Sequence, residues 1–138
     1  MAKTPVTIRV QFNNLTQLRG QLRREAANAV RETTLAIEAG AKERMTQPKS
    51  GRVYERPGQP AHQASAPGEA PAVDTSTLSN SVQSRMDGDL TGVIEVGAEQ
   101  GEALEYGTER IEPRPYMTPS AEEERPRFTK RMEKLLDG

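Results

Sequence analysis

Two periodicities meet in VTIRVQFNNL, residues 6–15, and the change between them decides the fold. The first seven of these residues alternate between apolar and polar side chains, which predicts a half-buried strand. The apolar face of that strand is Val6, Ile8, Val10 and Phe12. Asn13 and Asn14 then supply side chains that cap helices, and the apolar residues that follow recur every three or four positions. A strand that leads directly into an amphipathic helix is therefore the first unit of the fold.

The helical pattern continues for about 30 residues, which corresponds to about 45 Å of helix. Its apolar positions are Leu15, Leu18, Leu22, Ala26, Ala29, Val30, Thr33, Ile37, Ala41 and Met45. The opposite face is charged, and a solvated face is a simpler interpretation of it than a docking surface.

Residues 46–77 lose all periodicity and contain five prolines and three glycines. A structureless segment of this length is uncommon inside a compact domain and is usually disordered or ordered by a partner. We expect an extended arm that adjacent subunits hold in place; the alternative is a loop that folds back on its own domain. The candidate interface residues of the arm are Val53, Tyr54, Pro57, Pro67, Pro71 and Val73.

Two further strands and two helical turns follow the arm. A short helical turn is expected near Thr77, after the capping side chain of Asp74. The pair Asp87-Gly88 separates two alternating runs, which predicts a β-hairpin because glycine adopts a positive φ at little cost. Together with the first strand, the hairpin forms an antiparallel sheet of three or more strands. Residues 103–106 are expected to form one more helical turn.

The last predicted element is a C-terminal helix. Thr118 is a suitable N-cap residue, Pro119 is tolerated at the first helical position, and acidic residues in the early turns have the favourable sign for the helix dipole. Pro126 is expected to kink or break this helix. The sequence as a whole predicts an α+β fold: a small antiparallel sheet packed against one long N-terminal helix, with a C-terminal helix and a long proline-rich arm, in a single domain of residues 1–138.

Composition limits both the core and the function. Apolar residues make up 33% of the chain and tryptophan is absent, so we expect a thin core that gains stability from neighbouring subunits. The 19 basic and 20 acidic residues nearly cancel, which disfavours a dedicated nucleic-acid-binding protein. Cysteine is absent, which excludes disulfides and thiolate chemistry. The chain starts without an apolar signal region, so we expect a protein made in a cytoplasm and used there or assembled into something larger, with no membrane contact.

No residue pattern indicates catalysis, a metal or a cofactor. His62 is the one histidine, and without cysteine a zinc site would need three carboxylates around it. The serines lack a nucleophile motif, and no phosphate-binding glycine loop is present. We therefore expect a protein that is not an enzyme and that binds no cofactor.

The remaining unusual feature is a cluster of aromatic residues and prolines in EYGT, residues 105–108, and RPYMTP, residues 114–119. Two of the three tyrosines lie in this cluster, although aromatic residues make up only 4% of the chain. Tyrosine suits an interface anchor and equally suits the closure of a small core, and the sequence leaves both readings open. The candidate interface residues here are Tyr106, Gly107, Thr108, Arg114, Pro115, Tyr116 and Met117.

These motifs resemble one known family across nearly the whole chain. The order of strand, long helix, SGRVY loop, APGEAPAVD segment, EYGT and RPYM is similar to that of the "gene product ten" family of head–tail joining proteins of long-tailed bacteriophages. That family commonly has phenylalanine where Tyr106 and Tyr116 stand. Its most specific motifs are the APGEAPAVD segment, residues 66–74, and the EYGT and RPYM pair.

The resemblance implies a structural virion protein that forms a ring in the neck and joins the DNA-filled head to the tail. Its expected partners are further copies of itself in a hexamer or dodecamer, head-closure or adaptor proteins, and tail-terminator or tail-tube proteins. Genomic double-stranded DNA would pass through the lumen without specific binding. The expected location is the virion neck or tail, and the host cytoplasm during assembly. The alternatives are a tail-terminator or minor tail protein and a small DNA-binding regulator.

Overall fold

The computed structural model of the chain describes residues 6–11, 20–47, 49–51, 53–71 and 77–137, and for residues 54–56 and 59–62 it describes the backbone alone. Its helices and strands are β1 (Val6–Gln11), α1 (Gly20–Thr46), β2 (Val53–Arg56), β3 (Gln59–Gln63), α2 (Thr77–Ser81), β4 (Val82–Met86), β5 (Thr91–Val96), α3 (Gly101–Tyr106) and α4 (Met117–Asp137). The fold is α+β, as the sequence predicts. The predicted side chains Phe12, Asn13, Asn14, Leu15, Leu18 and Val73 lie outside the described residues.

The main sheet is antiparallel, with the strand order β1-β5-β4. The register places Val96 between Val6 of β1 and Val82 of β4, so that one face of the sheet is apolar. The turn between β4 and β5 is the predicted one: Gly88 adopts a φ of +82°, and the Asp87 N–H donates to the Thr91 carbonyl at 2.8 Å. The alternation visible in the sequence is therefore the alternation between the two faces of this sheet.

Helix α1 covers the apolar face of the sheet, and α4 packs along α1 in the opposite direction. Two ion pairs show this direction: Glu32 and Arg44 of α1 pair with Arg131 and Glu123 of α4, respectively. Seven of the predicted stripe positions of α1 are buried: Ala26, Ala29, Val30, Thr33, Ile37, Ala41 and Met45. Thr34 is buried as well, although the stripe did not include it, and the predicted Leu22 is half-buried. One main cluster of apolar side chains joins the sheet, α1 and the start of α4, and a smaller cluster joins the other ends of the two helices.

The predicted start of the last helix is wrong, and the break that was one of two outcomes expected at Pro126 does not occur. Helix α4 begins at Met117, so Thr118 is inside the helix rather than its N-cap, and Pro119 is its third residue. Pro119 is still tolerated, because the first four N–H groups of a helix have no partner within it. The helix also continues through Pro126 to Asp137 without a break. We attribute this continuity to packing against α1, which holds both halves of α4 on the same core.

The arm also differs from its prediction, because it contains a hairpin instead of being structureless. Strands β2 and β3 pair antiparallel, with Val53 opposite Gln63. Pro57 and Gly58 make the turn: proline fixes φ at the first position, and Gly58 adopts a φ of +74° at the second. The sequence does not predict this hairpin, since neither strand carries a run of apolar residues.

No helix in the described residues is long and apolar enough to cross a bilayer.

The close contact between Gly92 of β5 and helix α1 predicts that a larger side chain at this position will destabilise the fold. A Cβ atom at Gly92 would overlap the hydroxyl of Thr34, a buried residue of α1. We expect Gly92→Ala to lower the free energy of unfolding in urea by about 1–3 kcal/mol, as overpacking does in other cores. Gly97→Ala is the matched control, because a Cβ atom there would meet its nearest neighbour at an ordinary 3.9 Å. Equal stability of the two variants would contradict the packing of α1 on β5.

A candidate assembly surface around α3 and the arm

Glu105 connects the end of α3 to the start of α4. Its side chain is 97% buried, with a residual exposure of 3%. One carboxylate oxygen accepts the N–H groups of Tyr116 and Met117, each at 2.9 Å, and the other accepts the N–H group of Thr118 at 2.7 Å. These N–H groups lie at the start of α4, where a helix lacks internal acceptors and where the helix dipole favours a negative charge. A side chain eleven residues upstream thus caps the helix.

Tyr116 belongs to the core of the subunit. The side chain has no exposed surface, and its hydroxyl donates to the Gly101 carbonyl at 2.9 Å. Burial raises the pKa of this hydroxyl well above its ordinary value of 10.0. Gly101 is required at this contact, because a Cβ atom there would lie 2.7 Å from Val96 and 3.0 Å from the tyrosine hydroxyl. For Tyr116 the structure therefore favours core closure over interface anchoring.

Tyr106 is the opposite case, since 61% of it is exposed. It is the last residue of α3, and a turn of residues 107–113 follows it. Gly107 starts this turn with a φ of +78° and with no room for a Cβ atom, which would lie 2.8 Å from the ring of Pro113. Ile111, another exposed apolar side chain, lies in the same turn.

Internal hydrogen bonds hold this turn in one conformation. The Thr108 hydroxyl accepts the N–H groups of Arg110 and Ile111 at 3.1 and 3.2 Å, and the Thr108 N–H donates to the Ile111 carbonyl. The N–H of Arg114 then donates to the Leu104 carbonyl at 2.6 Å, which returns the chain to α3. The turn therefore presents Tyr106 and Ile111 on an ordered backbone, and little entropy is lost when such a surface binds.

The base of the arm is closed by Glu69. Its carboxylate accepts the N–H of Ser50 at 3.0 Å, the Ser50 hydroxyl at 2.9 Å and the N–H of Ala66 at 2.7 Å. The bonds from the Ala66 and Ser50 N–H groups are the main causes that lower the pKa of Glu69 below its ordinary value of 4.5. The segments before and after the β2–β3 hairpin meet here, because the Gly51 N–H also donates to the Ala64 carbonyl.

The arm and the turn after α3 are neighbours. The Gly68 N–H donates to the Pro113 carbonyl at 3.0 Å, which joins the two segments that the sequence singles out. A mixed-charge cleft of about 470 Å³ lies beside this junction, between the end of α1 and the start of α4. Most of its charged side chains already have partners: Arg44 pairs with Glu123, and Lys49 donates to the Arg44 carbonyl. Burial lowers the pKa of Lys49.

The thirteen candidate interface residues fall into four groups. Those on the surface are Val53, Pro57, Pro67, Tyr106 and Thr108. Those partly covered are Gly107, Arg114 and Pro115. Those in the subunit's own core are Pro71, Tyr116 and Met117, so a neighbouring subunit cannot reach them. The side chain of Tyr54, and Val73 as a whole, lie outside the described part of the chain.

Sequence reasoning missed the two carboxylates that organise this region. Glu105 and Glu69 both lie inside the quoted motifs, but a glutamate in a charged chain is normally exposed, and its acceptor role depends on which N–H groups the fold brings near it. It also missed Ile111 as a surface residue. Arg114 has one more unusual atom, since its Nε is buried without a hydrogen-bond partner in the described residues.

Comparison of the chain with protein-family models, with curated proteins and with solved structures gave no match. Within the described residues, no group of three or more histidine or acidic side chains is arranged to hold a metal ion. The interpretation of this surface therefore depends on its own geometry.

The cap on α4 gives a graded prediction. Glu105→Ala leaves three N–H groups without their acceptor at a buried position, and we expect it to lower the free energy of unfolding by about 2–4 kcal/mol. Glu105→Gln keeps one acceptor oxygen and should cost less. Glu102→Ala, in the same helix but partly exposed, is the control and should stay within about 0.5 kcal/mol of wild type. Thermal or urea unfolding measures all three, and an unchanged Glu105→Ala variant would contradict the cap.

The closed base of the arm predicts protection from proteolysis. We expect Glu69→Ala to increase the rate of trypsin cleavage after Arg52, because the N–H groups of Ser50 and Ala66 lose their shared acceptor. Glu43→Ala, at an exposed position beside the same cleft, should cleave at the wild-type rate. Equal cleavage rates in the two variants would contradict this role of Glu69.

The contribution of the Glu69 carboxylate to stability depends on pH. Because folding lowers the pKa of Glu69, this contribution is complete above pH 4.5 and is lost as the pH falls through the pKa of the folded state.

Proposed function

We propose that the protein is a structural virion protein of a tailed bacteriophage, which forms a ring in the neck and joins the DNA-filled head to the tail. The motif order that resembles the head–tail joining family motivates the proposal. The observation that carries it is the arm, which contains a two-stranded hairpin outside the main sheet.

The β2–β3 hairpin has little stability of its own in an isolated subunit. Two strands alone are marginally stable in water, and stable sheets need a third strand or a covered face. Strands β2 and β3 pair with each other and, among the described residues, with no other strand. Val53 adds an apolar side chain that is 53% exposed. Contact with an adjacent subunit would cover this hairpin, and it would do so in every subunit of a closed ring.

The turn after α3 supports the same role. It holds exposed apolar side chains on an ordered backbone, which is typical of a binding surface and unusual in a chain with so few aromatic residues. The proposed role is structural and needs no active site. The further partners would be head-closure or adaptor proteins on one side and tail-terminator or tail-tube proteins on the other, with genomic DNA in the lumen.

Particle assembly without the protein tests the proposal. A phage that carries a stop codon in this gene is grown and its particles are imaged. We expect DNA-filled heads beside finished tails that are not attached, and we expect the protein supplied from a plasmid to restore complete particles. Complete infectious virions in its absence would rule out the neck role. Tails of uncontrolled length would favour a tail-terminator role instead.

A DNA-binding regulator is distinguished by retention on DNA. Phosphate contacts by basic residues still act at ~150 mM salt, so a regulator would remain on nonspecific DNA at that concentration. The proposed ring protein should elute below it, since the chain carries a net charge of −1.

A further inference from the structure

Two surfaces of opposite charge lie near opposite ends of α4. Residues 99–112, which comprise α3 and most of the following turn, contain five glutamates and one arginine, and all of these glutamates except Glu105 are at least partly exposed. Residues 125–134, in the second half of α4, contain five basic residues and one glutamate. Two of the five, Arg127 and Arg131, pair with Glu124 and Glu32. The near-neutral total therefore conceals one acidic and one basic surface.

The acidic surface has an apolar centre. Tyr106 and Ile111 are exposed there, with Glu109 and Glu112 exposed beside them on the same turn. Neither glutamate forms an ion pair within the described residues. We call these four residues the acidic knob.

The basic surface borders a groove. A cavity of about 590 Å³ lies between the first turns of α1 and the last turns of α4, with Leu22 and Leu135 as its apolar lining. Its charged lining is Arg131, which pairs with Glu32, together with Lys134 and one carboxylate, Glu25. Both leucines are half-buried. Lys130, one turn earlier in α4, is exposed, and neither lysine has an ion-pair partner in the described residues. We call this site the basic groove.

We propose that the acidic knob of one copy of this chain binds the basic groove of a second copy. The two surfaces complement each other in charge, and each has apolar side chains at its centre with charged side chains around it, which is the usual arrangement of a protein interface. The proposal deepens the proposed ring by naming the residues of a contact between its subunits.

The two surfaces lie near opposite ends of α4, and along the helix the groove residue Leu135 is about 27 Å from Met117 at ~1.5 Å per residue. One knob-to-groove contact in each pair of subunits is head-to-tail and closes into a ring or continues as a filament, whereas two such contacts in one pair give a twofold dimer. The proposed ring corresponds to the first arrangement.

Charge reversal tests this contact in the full-length chain. One variant carries Glu109→Lys and Glu112→Lys, and the other carries Lys130→Glu and Lys134→Glu. All four side chains are exposed, so both variants should unfold at the wild-type temperature. In sedimentation velocity at ~50 mM salt, where surface charges are weakly screened, we expect the wild type to self-associate and each variant to do so at least about tenfold more weakly.

Mixing provides the decisive measurement. The two variants are complementary again when they are combined in equal amounts, so the mixture should associate although each variant alone does not. Arg24→Glu with Arg31→Glu is the control for total charge, because both arginines are exposed on α1, do not line the groove and should leave association unchanged. Tyr106→Ala should weaken association without a change of charge.

Three results would overturn the proposal: a wild-type protein that remains monomeric at low salt, variants that associate like wild type, or a mixture that associates no better than its components. Loss of binding to heparin or DNA by the Lys130→Glu, Lys134→Glu variant, with self-association intact, would assign the basic surface to nucleic acid instead. These failures are separate from failure of the neck role, which depends on whether particles lacking the protein remain unjoined.

Discussion

The bond between Glu105 and the first turn of α4 is the constraint on which the other features depend. It fixes the direction in which α4 leaves α3, and that direction decides which side of α4 packs against α1. It also aligns Tyr116 with Gly101, so that the tyrosine closes the end of the main core. Since the chain between Glu105 and Tyr116 must return on itself, the same bond forces residues 107–113 out to the surface.

The core of this chain is thin partly because several of its large apolar side chains lie on the surface instead. Few large apolar side chains are available, and several of them are exposed: Leu35, Val53, Tyr106, Ile111 and Leu136. The core relies instead on alanine and valine at close contacts between α1 and the sheet, where Gly92 allows the helix to approach. A subunit of this kind has limited stability by itself, and contacts with neighbours would add to it.

The elements that the sequence predicts well are those whose signal is local. Strand β1, helix α1 and the β4–β5 hairpin depend on alternation, on three-to-four spacing and on an Asp-Gly turn, all of which are visible over a few residues. The β2–β3 hairpin was missed because its strands are short and polar. The start of α4 was misplaced by two residues because the capping group is Glu105 rather than the adjacent Thr118. The continuity of α4 through Pro126 depends on packing that no local rule contains.

The sequence by itself determined the α+β class, the long amphipathic helix, the main hairpin and the two segments that mark this chain. Periodicity and turn chemistry are properties of neighbouring residues, and they survive without knowledge of the fold. Tertiary structure alone decided that Tyr116 is buried whereas Tyr106 is exposed, that Glu69 and Glu105 serve as backbone acceptors, and that the acidic and basic surfaces lie at opposite ends of α4. Burial and hydrogen bonding depend on which distant groups share a location, and only the folded chain brings those groups together.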